Sequence, residues 1–469
     1  MDFGVLSLLP PLLAIGLAIY TREVYLSLAG GIWLGWTIHA GWHPVLGLAG
    51  AIDGTVAAMT DPGNARVLLF TFAIGALIAL VEANGGVRGF VDWVERRRWV
   101  TGPRGAQILA WLIGLVIFIE SNITILVTGS VCRPLFDRFR VSREKLAYLV
   151  DSTCAPVCIL VPFNAWGAYV IGLLLGLGVT NAVAVFVAAI PLNLYAIAAL
   201  VLAGASAARG WDWGPMRRAQ RRTEEGKLNW DHAVALAAPE EIVPPPADDI
   251  PCRARNMVLP IGAMVATMPA AMAFTGGGRI MEGSGSTSVL WAVLAGLAVA
   301  WMLSAGQGLL SLKRLSAVSL QGAGGLTGMA LVLLLALALG AVTRELGTGE
   351  YVARIVGGRI PTPLLLPLLF VTGGAIAFAT GSSWGTFAIM IPVAVPIAGA
   401  LGLPPAPFVA AVLSGGIFGD HSSPISDTTI ISSLAAASDH IEHVRTQLPY
   451  ALVAGGIAAV GFGLVGVAL

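Results

Sequence analysis

Long stretches of this chain carry no charged residue, and that constrains its fold more than any motif does. Only 11% of the 469 positions are Asp, Glu, Lys or Arg, while 57% are hydrophobic; soluble domains average about 25% charged. A membrane-spanning helix needs about 20 mainly apolar residues, because its backbone polar groups must bond to one another where no water reaches them. Reading apolar runs against polar breaks gives ten spans, near 4–20, 24–42, 66–83, 144–176, 182–206, 255–275, 287–304, 317–342, 405–435 and 447–469. The chain is therefore predicted to be an all-α polytopic membrane protein. Its first segment lacks a basic leader region and a small-residue cleavage site, so it is expected to stay as the first span. A formal net charge of +1 leaves no electrostatic footprint for nucleic acid; the bilayer is the expected large partner.

Two further apolar stretches, 106–136 and 362–400, are interrupted at their centres by Glu120-Ser121-Asn122 and Thr380-Gly381-Ser382-Ser383. Each is predicted to be a re-entrant hairpin that returns to its own side, a form permitted where the tip lines a cavity. With that plan, loops on one side carry 22 of the 27 Lys and Arg residues. The positive-inside rule then places both termini outside and the loop 207–254 in the cytoplasm, in the cell (inner) membrane. Counting Arg255 at its end, that loop balances eight basic against eight acidic residues and reads as a solvated connector.

The connector separates related halves, 1–206 and 255–469. Residues 75–94 (GALIALVEANGGVRGFVDWV) match 335–356 (LALALGAVTRELGTGEYVARIV); 118–124 (FIESNIT) matches 378–386 (FATGSSWGT). Asp151-Ser152-Thr153-Cys154-Ala155-Pro156 matches Asp420-His421-Ser422-Ser423-Pro424. Five crossings and one hairpin per half force the two repeats into opposite orientations, the inverted-repeat plan of many secondary transporters.

Ionisable groups inside a bilayer cost about 2.5–3.5 kcal/mol each on insertion scales, so those near mid-span mark function. The candidates are Asp420, then Asp151, then Glu120, with His421 and Asp427 beside them. Around these acids the chain breaks into oxygen-rich runs: Ser121, Asn122 and Thr124; Ser152 and Thr153; Thr380, Ser382, Ser383 and Thr386; Ser422, Ser423, Ser426 and Thr428. Such oxygens suit a hard cation such as Na⁺, and Pro156 and Pro424 are expected to break their helices there and free carbonyls. A carboxylate among them would bind proton and cation in competition. Trp166, Trp384, His421 and Asn164 stand near the breaks as candidates for a substrate pocket. Four cysteines, Cys132, Cys154, Cys158 and Cys252, show neither CxxC spacing nor a neighbouring histidine cluster, so no transition-metal site or disulfide framework follows from spacing. No phosphate-binding loop is present, so neither an ATP-driven pump nor an enzyme is implied, and no cofactor beyond Na⁺ as coupling or transported ion.

The run 416–429, GIFGDHSSPISDTT, resembles the signature of the NhaC-type sodium/proton antiporters, and Asp151-Ser152-Thr153, Trp166-Gly167 and 380–386 (TGSSWGT) resemble its companion motifs. That family is similar to the broader ion-transporter superfamily. The resemblance implies a scaffold with a mobile domain bearing two opposed hairpins, elevator-like movement, a homodimer, and exchange of Na⁺ for H⁺. It also admits the alternative of a Na⁺- or H⁺-coupled carrier of a small organic solute, a carboxylate or an amino acid.

Overall fold

The structure is a computed structural model describing residues 3–21, 23–95, 102–118, 121–162, 164–230, 250–278, 283–348, 351 and 361–469. Every regular element among them is a helix. The first half holds α1 (Leu9–Thr21), α2 (Val24–His39), α3 (Pro44–Thr60), α4 (Pro62–Ala83), α5 (Gly86–Glu95), α6 (Pro103–Val116), α7 (Ser121–Arg138), α8 (Arg143–Leu160), α9 (Ala165–Gly176), α10 (Ala182–Ala189) and α11 (Leu194–Arg209). After α12 (Gly214–Glu224) come α13 (Arg255–Thr275), α14 (Gly285–Gly306), α15 (Leu312–Gly325), α16 (Thr327–Glu345), α17 (Thr362–Thr380), α18 (Ser383–Ala400), α19 (Pro405–Ser422), α20 (Asp427–Ala436) and α21 (His440–Ala468). Among the described residues, seven helices are long and apolar enough to cross a membrane, and up to nine spans result if two bent pairs count once each. One bent pair is α8 with α9, turning by 43°. Large apolar side chains left open on the outer helices, such as Phe274, Leu320 and Val460, face where lipid would cover them.

The centre consists of the broken helices and the paired helices that lean on them. Both α6 and α7 pack on α8, and both α17 and α18 pack on α19. Around this centre the halves lean on each other reciprocally, α2 on α16 and α14 on α4. Small residues allow the closest contacts: at Gly419 of α19 even a methyl group would overlap the Gly374 carbonyl oxygen of α17.

The structure corrects three expectations. Residues 43–65 carry the 17-residue helix α3, where the sequence placed a loop. Its glycines break the apolar run on paper, but they let it lie against Thr37 and Trp36 of α2. Asp151-Ser152-Thr153 is not a break: α8 continues through it to Leu160 with Pro156 inside, and the Asn164 side chain caps α9 beyond it. A single proline removes one backbone donor, which a helix packed on all sides absorbs as a local distortion. The connector is not wholly solvated either. Arg222 of α12 makes a two-pronged pair with Glu144, at 2.7 and 2.9 Å, with both side chains buried. Lys145 bonds Asp212 at 2.8 Å, and Trp230 donates to Glu144 at 3.1 Å. Breaking such a buried pair typically costs about 3–5 kcal/mol, so residues 212–230 are fastened to the end of α8. Residues 231–249, and the expected partner of α5 at 352–356, lie outside the described residues.

The basic loops expected to share one side do lie together. Gly210 neighbours Arg104, Gly89 abuts Arg253, and Gly85 abuts Cys252. Arg253 and Arg255 bond Gln307, at 2.8 and 3.0 Å, and Arg143 reaches the Ala437 carbonyl at 3.2 Å.

Candidate functional site

Asp420 sits in the last turn of α19, buried, one turn before the chain unwinds at 423–426. The first residues of two other helices come to it. Ser383, opening α18, donates to Asp420 Oδ2 at 2.8 Å, and Ser426, capping α20, donates to Oδ1 at 2.7 Å. The tip between α17 and α18 can approach because Gly381 takes a left-handed turn, φ 66°, close against the Ile425 carbonyl; a Cβ there would lie 2.5 Å from its oxygen. Ser423 fastens the two breaks by donating to the Phe378 carbonyl at 2.7 Å.

Asp151 is fully buried on α8 and faces the second half rather than its own. Gln447 of α21 donates to its Oδ2 at 2.5 Å, Thr429 of α20 to Oδ2 at 3.3 Å, and Ser432 to Oδ1 at 3.4 Å. His443 Nε2 stands 3.6 Å from Oδ2. The same Gln447 amide donates to the His421 carbonyl at 2.9 Å, next in the chain to Asp420. The two aspartates therefore belong to one buried polar network, joined through the first turns of α20 and through Gln447. Beside it lies a cavity of about 10 Å³, room for about one water molecule, lined by Tyr148, Ser152, Tyr195, His421, Gln447 and Tyr450, among others.

The remaining candidates separate by what their oxygens do. Thr153, Thr380, Thr386 and Ser422 give their hydroxyls to carbonyls of their own helical turn, at 2.8–2.9 Å, and Thr124 bonds the Ile117 carbonyl. Ser382 caps α18, and Thr428 contacts Ser426 at 3.1 Å. Ser121 is buried at the start of α7, and Ser152 lines the cavity. Asn164 bridges the two breaks of the first half, donating to the Phe118 and Cys158 carbonyls, each at 2.8 Å. Trp166 and Trp384 do meet, with ring centroids 4.5 Å apart, and bind α9 to α18. Glu120 lies outside the described residues, as do the side chains of Asn122 and Asp427.

Sequence reasoning missed His443, Gln447, Thr429, Ser432 and Tyr195. A signal existed for two of them: His443 and Gln447 are four residues apart, hence on one face of the polar first turns of a helix that is apolar further on. Starting that span at 447 rather than at His440 hid the pattern.

Comparison with known proteins points the same way. The model of the Na⁺/H⁺ antiporter family matches residues 157–467. An uncharacterized protein of Haemophilus influenzae is 34% identical, with 99% of this chain and 92% of that one covered. The malate-2H⁺/Na⁺-lactate antiporter of Bacillus subtilis is 35% identical over 24% of this chain and 26% of its own. In fold, the chain is similar to the YdaH transporter of Alcanivorax borkumensis, with a TM-score of 0.59 at 16% identity, covering 89% of this chain and 88% of that one.

Proposed function

Because the chain belongs to the Na⁺/H⁺ antiporter family and is a multi-pass membrane transporter, we propose that it exchanges Na⁺ for H⁺, with Asp420 and Asp151 as the carboxylates over which the two compete. The observation that carries this reading is the buried network holding both aspartates where helix ends of the second half meet the middle of α8 from the first. A carboxylate ringed by hydroxyls offers a dehydrated Na⁺ the oxygens it needs. The same oxygens can take a proton, and proton and cation exclude each other there. Cation and proton in turn occupy one site, and no covalent step is needed. The reciprocal packing of the halves supports inverted repeats and, with them, alternating access in which one hairpin of each half acts as one of two opposed gates, elevator-like. The grouped basic loops support a cytoplasmic placement of residues 207–254 in the cell (inner) membrane. A homodimer belongs to the same reading.

Competition fixes the sign of the pH response. Raising pH empties the carboxyl of its proton, so apparent Na⁺ affinity rises, by up to about tenfold per pH unit for one displaced proton, and levels off once the carboxyl is ionised. The check is a titration of detergent-solubilised protein in weakly buffered solution with a pH indicator. Na⁺ is expected to release protons, and Na⁺ binding without proton release contradicts the reading. A second reading is favoured by the antiporter relative named for malate and lactate: coupled transport of a small organic solute. Proton release by such solutes, and not by Na⁺ alone, would select it.

A further inference from the structure

Na⁺ accounts for the oxygens of this network but not for two softer donors beside Asp151: the Cys154 thiol, which donates to the Asp151 carbonyl at 3.0 Å, and the His421 imidazole. Cys154 follows Asp151 by one helical turn on α8, and His421 reaches the same point from α19, 267 residues further along the chain. One ligand atom from each of Asp151, Cys154 and His421 can be chosen so that all three lie within 4.8 Å of one another, and all three residues are buried. No spacing rule could show this, because the donors come from different helices. The surroundings point to a ligand. His421 Nε2 is buried with no hydrogen-bond partner, while its Nδ1 lies 3.3 Å from the Tyr195 hydroxyl. If Tyr195 accepts the Nδ1 proton, the Nε2 lone pair is left for a metal, the usual way an outer partner sets a metal-binding histidine. His443 places a further imidazole on the Asp151 carboxylate, and both of its ring nitrogens also lack hydrogen-bond partners. Unpaired buried nitrogens at this density cost stability unless something binds them.

We propose that Asp151, Cys154 and His421 form a binding site for a soft or borderline divalent cation of the Zn²⁺ class, with His443 as the nearby candidate for a fourth ligand. The donor set of thiolate, imidazole and carboxylate matches Zn²⁺ and Cd²⁺ and is wrong for Mg²⁺ or Ca²⁺, which take oxygen. Binding displaces the Cys154 thiol proton, and the thiolate joins the carboxylate and a neutral imidazole around the ion. Gln447, Thr429 and Ser432, already bonded to Asp151, hold the carboxylate in place. The proposal concerns binding and stands apart from whether Na⁺ is the cargo.

The test uses the purified full chain in detergent, cleared of metal by a chelator and titrated with Cd²⁺. A thiolate-to-cadmium charge-transfer absorption is expected to saturate at about one Cd²⁺ per chain, and Zn²⁺ should displace it. Cys154→Ser should abolish the band, whereas Cys252→Ser, altered at the half-buried loop cysteine, should leave it. His421→Ala should weaken Cd²⁺ binding by about 10–100-fold, and this variant decides the matter if Cys154→Ser does not fold. The proposal is overturned if the wild type shows no band, if the band survives in Cys154→Ser, or if His421→Ala binds Cd²⁺ as tightly as the wild type.

Discussion

Replacing Asp420 by Asn is expected to reduce Na⁺-driven exchange at least about 100-fold while leaving the protein folded. The two side chains have the same shape, and the Ser383 and Ser426 hydroxyls that now donate to the carboxylate can each turn to accept from an amide. The packing around the end of α19 therefore survives. The negative charge does not, and with it go both the cation's principal ligand and the site of the competing proton. Removing one partner from a buried charge pair costs about 3–5 kcal/mol, and each 1.4 kcal/mol is tenfold in binding. Proteoliposome exchange, run beside a thermal unfolding profile of the same preparation, checks the expectation. Unchanged exchange in a well-folded Asp420→Asn variant would remove Asp420 from the mechanism.

The second large effect concerns how Asp420 is held. Gly419→Val is expected to cost about 3 kcal/mol or more, the upper range for overpacking a filled interior, because the obstacle is backbone. A Cβ at this position meets the Gly374 carbonyl oxygen and crowds Ala377 and the Phe378 amide. Helix α17 cannot retreat without moving Phe378, whose carbonyl accepts from Ser423, or the Gly381 tip behind it. The measurement is the fraction of protein that elutes as a single folded species, with its melting profile, against Gly456→Val. Gly456 lies on α21 with open space around it, so that control should behave as the wild type. Equal stability of the two variants would mean that α17 and α19 do not depend on this contact.

How far the sequence foretold the site differs between the two halves. Around Asp420 the local order of residues was enough: a glycine-rich helix, then Ser423-Pro424 and Ser426-Asp427, describes a helix that ends and another that is capped, and Ser426 does meet the acid. The tip serine Ser383 was legible for the same reason, since Gly381 and Ser382 mark a turn and a cap. Around Asp151 the same reasoning failed. Its partners Thr429, Ser432 and Gln447 come from 278 to 296 residues away, and only the packing of α20 and α21 against α8 brings them there. Pro156 also misled, because a proline signals a lost donor, and whether the helix stops or merely bends depends on neighbours that a linear reading does not see. The helix α3 was hidden by its glycines for a related reason: they weaken an apolar run, yet they serve contact with Trp36. Cys154 shows the limit most plainly. As a residue type it reads as a small apolar filler, and only the arrival of His421 adds an imidazole to the pair it makes with Asp151.

The central claim is that a cation and a proton compete for the aspartates of one buried network. The most direct measurement is proton movement in proteoliposomes that hold a preset pH gradient, with the membrane potential clamped, on addition of Na⁺, Li⁺ and K⁺ in turn. Collapse of the gradient on Na⁺, absent in Asp420→Asn, is the result expected. No response to any cation, followed by a response once malate, lactate or amino acids are supplied, would contradict the claim and make the protein a carrier of organic solutes.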